Sequence, residues 1–323
     1  TGAPVPLGAD TVIPVEQVKR SEETMRLADG EEYTPGRHIR GAGSDYTAGA
    51  ELLSEGEMLT SASLAVLAAE GVVEVPVARR LTAAVLSTGS ELVQPGEKPE
   101  PHQIRASNLT ALEAELRGAS FEVLPGRYCR DDEETLARQI EELSRGTDIV
   151  LLTGGVSKGR YDFIEGALER IGAEQLFHWV AQKPGKPLLC ARLKGTGGGT
   201  LILGLPGNPQ SALIGARRYV VEAAKWRSAL GGGEAKRGGT NVSSRGRREG
   251  SALCLPLADT VTFSATKTLF QPVVLRQGAA GLEVATVVTT GSGDYYGLSR
   301  SDGFVELSAD RDVFDRGECV PFF

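Results

Sequence analysis

The feature that most constrains the fold of this 323-residue chain is an alternation of short apolar segments with amphipathic ones between residues 81 and 229. Such an alternation predicts a doubly wound, mostly parallel sheet with helices on both faces, the α/β arrangement. Several apolar segments have no polar face, as strands covered on both sides require. The predicted strands are Leu81–Ser87, Phe121–Leu124, Asp148–Thr153, Leu176–Ala181, Leu188–Leu193 and Thr200–Leu205.

Capping residues and glycines delimit the helices between these strands. Ser107 is predicted to cap one helix that stops at Gly118, and Asp132 to cap another that stops at Gly146. The remaining predicted helices are Asp162–Ile171 and Gln210–Ala229.

We assign this α/β domain to residues 79–230. The residues on either side of it have a different pattern of apolar and polar residues. Residues 1–78 predict extended segments and turns with one helix, Ser61–Glu70. Residues 231–250 are rich in Gly, Arg and Ser and indicate a linker or mobile loop. Residues 251–323 have β-branched alternation, glycine-bearing turns and no convincing helix, so they predict a small β domain.

Composition excludes several classes of function. A formal charge of −7 argues against a protein whose main partner is nucleic acid. The four cysteines are far apart and form no CxxC pair, which fits a reducing cytoplasm better than a zinc ribbon or a disulfide framework. No apolar run reaches the length of about 18 residues that a membrane span needs.

Glycine is in surplus, and part of the surplus falls where a ligand would bind. The chain has 41 glycines, about 13% of its residues against a usual value of about 7%. Ligands of an open parallel sheet bind beyond the carboxyl ends of its strands, and glycine there lets backbone N–H groups approach an anion. The loop residues predicted to bind ligand are Thr88, Gly89, Gly154, Gly155, Ser157, Gly204, Pro206, Gly207 and Asn208.

Charged residues share the same predicted edge. Lys183 and Lys186 would face phosphate or a similar oxyanion. Acidic residues follow the strands at Glu91, Asp131, Asp132 and Asp162, and carboxylates of this kind can hold Mg²⁺ together with phosphate oxygens. Asp132 is also a good helix cap, which leaves Asp131 as the functional partner. Each loop alone is more often a plain turn, and their coincidence at one edge favours a Mg²⁺–phosphate site.

At these residues the chain resembles a known family, the molybdopterin molybdenumtransferases, which comprise the MoeA proteins and the E domains of gephyrin and its plant counterpart. The match is collinear along the whole chain and continues into the tail at Phe270-Gln271-Pro272 and Gly291–Asp294. The motifs that carry it are TGAPVP from Thr1, STGSEL from Ser87, RDD from Arg130, GGVSKGRYD from Gly154, KPGKP from Lys183 and GLPGNPQSA from Gly204.

The resemblance implies that residues 1–78 are the rear portion of the family's mixed, β-rich N-terminal domains, and that an α/β domain of the MogA type and then a small β domain follow them. It also implies insertion of molybdate into adenylylated molybdopterin, with release of AMP, by a Mg²⁺-dependent cytoplasmic homodimer. The adenylyltransferase and the recipient molybdoenzymes are the further partners it implies, and neither nucleic acid nor a membrane is expected. The pterin dithiolate captures the metal, so no protein thiol is needed.

The resemblance also assigns residues. It implies catalytic roles for Glu91, Asp162, Lys183 and Lys186, metal binding by Asp45, Glu91, Asp131 and Asp162, and substrate contacts from Thr1 and Ser292. In the family the turn that contains Ser292 closes over the site of the partner subunit.

This chain departs from the family pattern in two places. Trp179 stands four residues before Lys183, where the family usually has a second basic residue. Family members also begin well upstream of Thr1, in a segment that bears an MDGYA-like motif, and we expect that segment in a longer protein.

Three alternatives stay open from sequence. The adenylyltransferase of the preceding step uses the same α/β domain but lacks the flanking domains. A gephyrin-like scaffold would have no reason to keep the carboxylates and lysines. A tungstate-specific paralogue cannot be separated from a molybdate enzyme, because the two oxyanions are nearly isosteric.

Overall fold

The computed structural model describes residues 2–28, 32, 34–156, 163–195, 199–224, 253–279 and 281–323. The chain divides into two compact units, Thr1–Val73 and Glu74–Phe323. The predicted linker at residues 231–250 lies outside the described residues. None of the described helices is both long enough and apolar enough to cross a membrane.

The first unit contains a short antiparallel hairpin and one helix. Strands β1 (Val18–Arg20) and β2 (Met25–Leu27) form the hairpin. Helix α1 (Ser61–Ala69) begins where the Thr60 side chain accepts a hydrogen bond of 3.1 Å from the Ser63 N–H. This cap explains why the helix predicted at Ser61–Glu70 begins at the expected residue.

The second unit contains the α/β sheet, whose strand order is β6-β3-β8-β12-β11-β9, with β7 also beside β3. Only β11 runs against its neighbours, so the expectation of a mostly parallel sheet is confirmed. Its strands are β3 (Thr82–Thr88), β6 (Glu122–Val123), β7 (Arg127–Cys129), β8 (Ile149–Thr153), β9 (Glu174–His178), β11 (Leu189–Leu193) and β12 (Thr200–Leu205). The other strands of this region are β4 (Leu92–Val93) and β5 (Ile104–Arg105), which pair with each other, and β10 (Gln182–Lys183).

Helices cover both faces of this sheet, as a doubly wound fold requires. One core joins α2 and α5 to the sheet through buried residues such as Leu112 and Ala212. The other core joins α3 and α4 to the opposite face through residues such as Ile140 and Ala167. The helices are α2 (Ser107–Gly118), α3 (Glu133–Ser144), α4 (Ile164–Arg170) and α5 (Pro209–Gly215), which continues into a π-helical turn at Ala216–Val221.

Two predicted strands have different bounds in the structure. The strand predicted at Phe121–Leu124 is only β6 (Glu122–Val123), and a second short strand, β7 (Arg127–Cys129), which the sequence analysis did not predict, follows after Pro125 and Gly126 interrupt the pairing. The strand predicted at Leu176–Ala181 ends at His178, because the backbone turns at Trp179, whose φ is 75°.

The C-terminal region is a six-stranded, mostly antiparallel sheet with its own core around Val273, Val305 and Leu307. Its strands are β13 (Leu253–Pro256), β15 (Thr268–Gly278), β16 (Gly281–Thr286), β17 (Gly303–Leu307) and β19 (Cys319–Phe322), joined by β10. Strands β14 (Val261–Thr262) and β18 (Val313–Phe314) form a separate pair. The expectation that this region has no helix is wrong: α6 (Tyr295–Leu298) begins at Asp294, whose carboxylate accepts a hydrogen bond of 2.9 Å from the Gly297 N–H.

The two sheets of the second unit are joined by strand pairing and by a small core. Strand β10 leaves the α/β domain and pairs in parallel with β15. Ile214 at the end of α5 packs with Phe270, Leu298 and Phe304 from the C-terminal region. The loop after Lys183 therefore begins where the chain pairs with the C-terminal sheet.

Candidate active site

The carboxyl ends of β3, β8 and β12 lie side by side, and the loops that follow them are tied together. Thr153 at the end of β8 is in register with both Ser87 and Leu205. The Gly154 N–H donates to the Leu205 carbonyl at 3.1 Å, and the Thr88 hydroxyl donates to the Thr153 carbonyl at 3.3 Å. Three of the predicted ligand-binding loops therefore begin at one edge of the sheet.

Glycine is required where these loops touch. Gly154 has a φ of 97°, and a Cβ there would lie 2.5 Å from the Thr88 carbonyl oxygen. A Cβ on Gly204 would lie 2.5 Å from Val156 Cγ1, so this glycine also permits close packing below the loops. Their packing accounts for Gly154 and Gly204 before any ligand is considered.

The acidic loops are joined by a reciprocal contact. The Asp131 carboxylate accepts a hydrogen bond of 2.9 Å from the Ser90 N–H, and the Asp131 N–H donates to the Ser90 hydroxyl at 3.3 Å. Glu91 is exposed, and its carboxylate lies against Gly89, since a Cβ on Gly89 would come within 2.7 Å of it. The loops that carry Glu91 and Asp131 are thus held together.

Asp132 has the separate role that its position in the sequence indicates. Its side chain caps α3 by accepting a hydrogen bond of 2.8 Å from the Thr135 N–H. Hydrogen bonding to Thr135 lowers the pKa of the Asp132 carboxyl below its usual range. Asp132 therefore serves the helix, whereas Asp131 faces the loop of Ser90.

Glu91 and Asp131 fit the modest demands that Mg²⁺ makes on a protein. This ion commonly takes only one or two carboxylates and completes its shell with phosphate oxygens and water. Within the described ranges, no group of three or more acidic, His or Cys side chains could hold a metal by itself. A cation here would depend on oxygens supplied by its ligand.

Four other predicted metal and ligand residues belong either to the first unit or to the residues that the structure does not describe. Asp45 belongs to the first unit, where Arg40 forms an ion pair with its carboxylate. Thr1, Ser157 and Asp162 lie outside the described residues. Their predicted roles stay predictions.

The lysine loop is positioned by a buried amide. Gln182 is only 3% exposed; its Nε2 donates to the Pro184 carbonyl at 3.0 Å and its Oε1 accepts from the Tyr219 hydroxyl at 2.5 Å. The Lys183–Pro184 peptide is cis. Lys183 and Lys186 are both exposed on this loop.

The lysine loop, the start of α5 and the turn of Ser292 are neighbours. A Cβ on Gly185 would lie 3.6 Å from the Ser211 carbonyl, and the Gln210 N–H donates to the Ser292 carbonyl at 3.1 Å. Ser292, which the family resemblance assigns to the partner's site, therefore also lies beside α5 of its own chain. Pro206 is buried and Asn208 is exposed just before this helix.

Asn108 is a residue of this edge that the sequence analysis missed. Its Nδ2 donates to the Gly207 carbonyl at 2.7 Å and to the Thr153 hydroxyl at 3.0 Å. Its Oδ1 accepts from the Tyr295 hydroxyl, which in turn accepts from the Ser107 hydroxyl at 2.7 Å. The sequence shows only that Asn108 lies at the start of a predicted helix. That position does not reveal its partners, which are distant in the chain.

The arrangement is chemically suited to an anionic ligand that brings a cation. Exposed ammonium groups stand on one loop, carboxylates on another, and tightly packed backbone lies between them. Ammonium groups stabilise phosphate or a similar oxyanion, and carboxylates can hold a divalent cation that the same ligand also coordinates.

Comparison with known families gives matches over nearly the whole chain. Residues 1–71 match the MoeA N-terminal region (domain I and II), residues 84–226 match a probable molybdopterin binding domain, and residues 255–323 match the MoeA C-terminal region (domain IV).

Individual relatives agree with these matches. A molybdopterin molybdenumtransferase of Synechocystis is 29% identical over all of this chain and 76% of its own length. A molybdopterin molybdenumtransferase of Synechococcus elongatus is 39% identical over 68% of this chain and 54% of its own length. The crystal structure of a MoeA molybdopterin biosynthesis protein from Pyrococcus horikoshii has a TM-score of 0.70 and 30% identity, covering 100% of this chain and 73% of that one.

The fold and the edge loops define a multidomain protein built around an α/β domain of the molybdopterin-binding type, with a β domain after it. The order of the flanking regions is that of MoeA. This chain belongs to the MoeA family, the molybdopterin molybdenumtransferases.

Proposed function

We propose that this protein inserts molybdate into adenylylated molybdopterin, releasing AMP and producing molybdenum cofactor. The observation that carries the proposal is the convergence of the lysine loop, the glycine loops and the Ser90–Asp131 contact at one edge of an α/β domain of this family. The flanking MoeA regions favour insertion over the adenylyltransferase reaction, for which the α/β domain alone would serve.

The chain's own residues would act mainly by binding and by charge. Lys183 and Lys186 hold the oxyanion of molybdate or the phosphates of the second substrate, and they stabilise the negative charge that develops as AMP leaves. Glu91 and Asp131 would hold Mg²⁺, which when bound neutralises the phosphate link that is cleaved. Asp162, which lies outside the described residues, remains a predicted catalytic residue.

We also propose that the protein is cytoplasmic. The four cysteines are unpaired, which supports a reducing cytoplasm. We propose a homodimer with Ser292 near a shared site, and transient contact with the adenylyltransferase and with recipient molybdoenzymes. These partners follow from the family and from the chemistry of the substrates.

The test is an assay of AMP release from adenylylated molybdopterin with Mg²⁺, run with molybdate and tungstate side by side on the full-length protein. We expect release that depends on the oxyanion and that falls sharply in Glu91→Gln. Lys183→Ala should weaken binding of adenylylated molybdopterin about 10- to 100-fold, the effect of losing a charge-assisted hydrogen bond.

Lys194→Ala is the matched control, because Lys194 is exposed just beyond β11, the strand that runs towards the opposite edge. Wild-type release by Glu91→Gln, or equal weakening by both lysine variants, would refute this assignment of the edge. Release of AMP with tungstate but not with molybdate would identify tungstate, rather than molybdate, as the substrate.

A further inference from the structure

Trp179 has a backbone conformation that a large side chain rarely adopts. Its φ of 75° lies in the left-handed region, where the Cβ is crowded by the backbone. Hydrogen bonds fix this turn: the Trp179 N–H donates to the Leu188 carbonyl at 2.9 Å, and the Val180 N–H donates to the Lys186 carbonyl at 3.0 Å. A strained residue in a well-fixed loop is a reason to look for a use of its side chain.

The indole ring of Trp179 contacts two other groups at the candidate active site. The ammonium nitrogen of Lys186 lies 5.1 Å from the centroid of the ring, within the range of a cation–π interaction. The imidazole of His178 stacks on the indole, with the ring centroids 4.8 Å apart and 22° between the planes.

His178 is itself fixed on both sides. Its Nδ1 lies 2.6 Å from Glu165 Oε1 in α4, and its Nε2 lies 3.1 Å from the Val156 carbonyl oxygen in the loop after β8. The side chain of His178 is only 9% exposed. The ring against which Trp179 stacks is therefore anchored to two other elements of the α/β domain.

We propose that Trp179 is a positioning residue that holds the ammonium group of Lys186 at the ligand-facing edge. The contacts run in sequence from Glu165 through His178 and Trp179 to Lys186. A lysine has a flexible four-carbon stem, and binding an anion costs entropy unless the stem is already restrained. The indole supplies that restraint, and Lys186 already engages the anion in the bound state, so removal of the indole should weaken ground-state binding of an anionic substrate more than it slows turnover at saturation.

The contact between Trp179 and Lys186 can be tested without any substrate. The chain has two tryptophans, so a Trp226→Phe protein emits from Trp179 alone. In this protein Lys186→Met, which keeps the length of the stem and removes the charge, should shift the emission maximum and change its intensity. Lys194→Met should leave the spectrum unchanged, and the same comparison in the wild-type background shows whether the Trp226 change matters. An emission spectrum unaffected by Lys186→Met would overturn the contact.

The consequence for ligand binding rests on the proposed function and is measured with adenylylated molybdopterin. Trp179→Leu should raise the Kd about two- to fivefold, the effect of an exposed cation–π contact, with a smaller change in kcat. Trp179→Phe should recover most of the affinity, because it keeps an aromatic ring. Both variants retain a Cβ at the same strained backbone position, so they differ mainly in the ring.

A double-mutant cycle separates positioning from general damage. In the Lys186→Met background Trp179→Leu should have no further effect on Kd, because the group that the indole holds is gone. Additive losses would overturn the positioning role. If the wild-type protein does not bind adenylylated molybdopterin, the proposed function fails, and the emission measurement still decides the Trp179–Lys186 contact.

Discussion

Two adjacent aspartates at the start of α3 show how one residue step separates two roles. Asp132 caps the helix through Thr135, whereas Asp131 accepts a hydrogen bond from Ser90 in the loop that carries Glu91. Neighbouring carboxylates thus face different partners, a helix N-terminus in one case and a loop of the candidate active site in the other.

We expect Asp132→Ala to lower the free energy of unfolding by about 1 kcal/mol, the usual effect of removing an N-cap. Asp131→Asn should leave stability nearly unchanged, because the amide oxygen can still accept from Ser90, and should impair AMP release because the negative charge is lost. Urea denaturation and the AMP-release assay, applied to both variants, measure the two effects. An Asp131→Asn protein with full activity would show that this carboxylate is not part of the site.

A second carboxylate, Asp148, should make stability depend on pH. The Arg79 guanidinium donates to both of its oxygens at 2.6 Å, and the Thr82 N–H donates at 2.8 Å. The hydrogen bonds from Arg79, followed by those from Thr82, hold the pKa of Asp148 far below its usual range. Because the folded pKa is depressed, the stabilisation is complete above the unfolded pKa of about 3.9 and is lost as pH falls towards the folded value.

We expect Asp148→Asn to cost about 2–4 kcal/mol of unfolding free energy at neutral pH. The difference from wild type should shrink as the pH is lowered from about 5 to about 2. Urea unfolding across this range measures it, and Asp259→Asn, at an exposed turn, is the matched control. A difference that stays constant with pH would contradict the assignment.

Of the two caps predicted from sequence, Asp132 is confirmed and Ser107 is wrong. Ser107 is the first residue of α2, and its hydroxyl donates to Tyr295 instead of accepting from an N–H of the helix N-terminus. Asp132 precedes an apolar-periodic segment, which is a local signal, and the structure confirms the cap. Asn108 and Gln182 hold the edge loops through residues distant in the chain, and nothing in their local sequence distinguishes them from ordinary polar residues. Side chains that act through tertiary contacts need the fold to be known first.

At the scale of elements, α2 and α6 meet through a network of polar side chains. Tyr295 of α6 donates to Asn108 of α2, and Asn108 donates in turn to the loops after β8 and β12. The short helix of the C-terminal region thus contacts a residue that ties the active-site loops together. Pairs linked in this way are energetically coupled, typically by about 0.5–3 kcal/mol.

A double-mutant cycle of Asn108→Ala and Tyr295→Phe should give a coupling energy of about 1 kcal/mol in urea denaturation. Either single variant should also reduce affinity for adenylylated molybdopterin, because the loop of Gly207 loses an anchor. Tyr296→Phe is the matched control, since Tyr296 is 74% exposed on the same helix. Coupling as large with Tyr296 as with Tyr295 would mean that the network is not specific.

The accuracy with which strands and helices were predicted from sequence also depends on their burial and length. Strands β3, β8 and β12 are buried on both faces, and their apolar runs were found within a residue or so of their bounds. Strand β9 is mostly exposed, and its end depends on the left-handed turn at Trp179, which no sequence pattern encodes. Helix α6 has only four residues, too few for an amphipathic period to appear.

At the scale of the whole molecule, the two sheets of the second unit share a core. Phe304 is 2% exposed and packs with Ile214, Phe270 and Leu298, which come from both sides of the junction. Loss of this contact should therefore destabilise both sheets rather than the C-terminal sheet alone.

We expect Phe304→Ala to destabilise the protein by about 3–5 kcal/mol, as removal of a buried aromatic side chain usually does. Hydrogen exchange should show reduced protection in β8 and β12 as well as in β15 and β17. Phe263→Ala is a useful comparison, because Phe263 is partly buried and packs against the core of the C-terminal sheet. Reduced protection confined to β15 and β17 would show that the two sheets unfold independently.

Strand β10 has a consequence for protein engineering. Its two residues, Gln182 and Lys183, pair with Thr268 and Leu269 of β15, although the chain on either side belongs to the α/β domain. A chimaera that takes its C-terminal domain from another protein would therefore replace the backbone against which Lys183 is registered. Such exchanges should succeed only when the incoming C-terminal domain has a strand equivalent to β15 whose edge can pair with Gln182 and Lys183. The edge of β15, rather than the linker, therefore limits where two proteins can be joined.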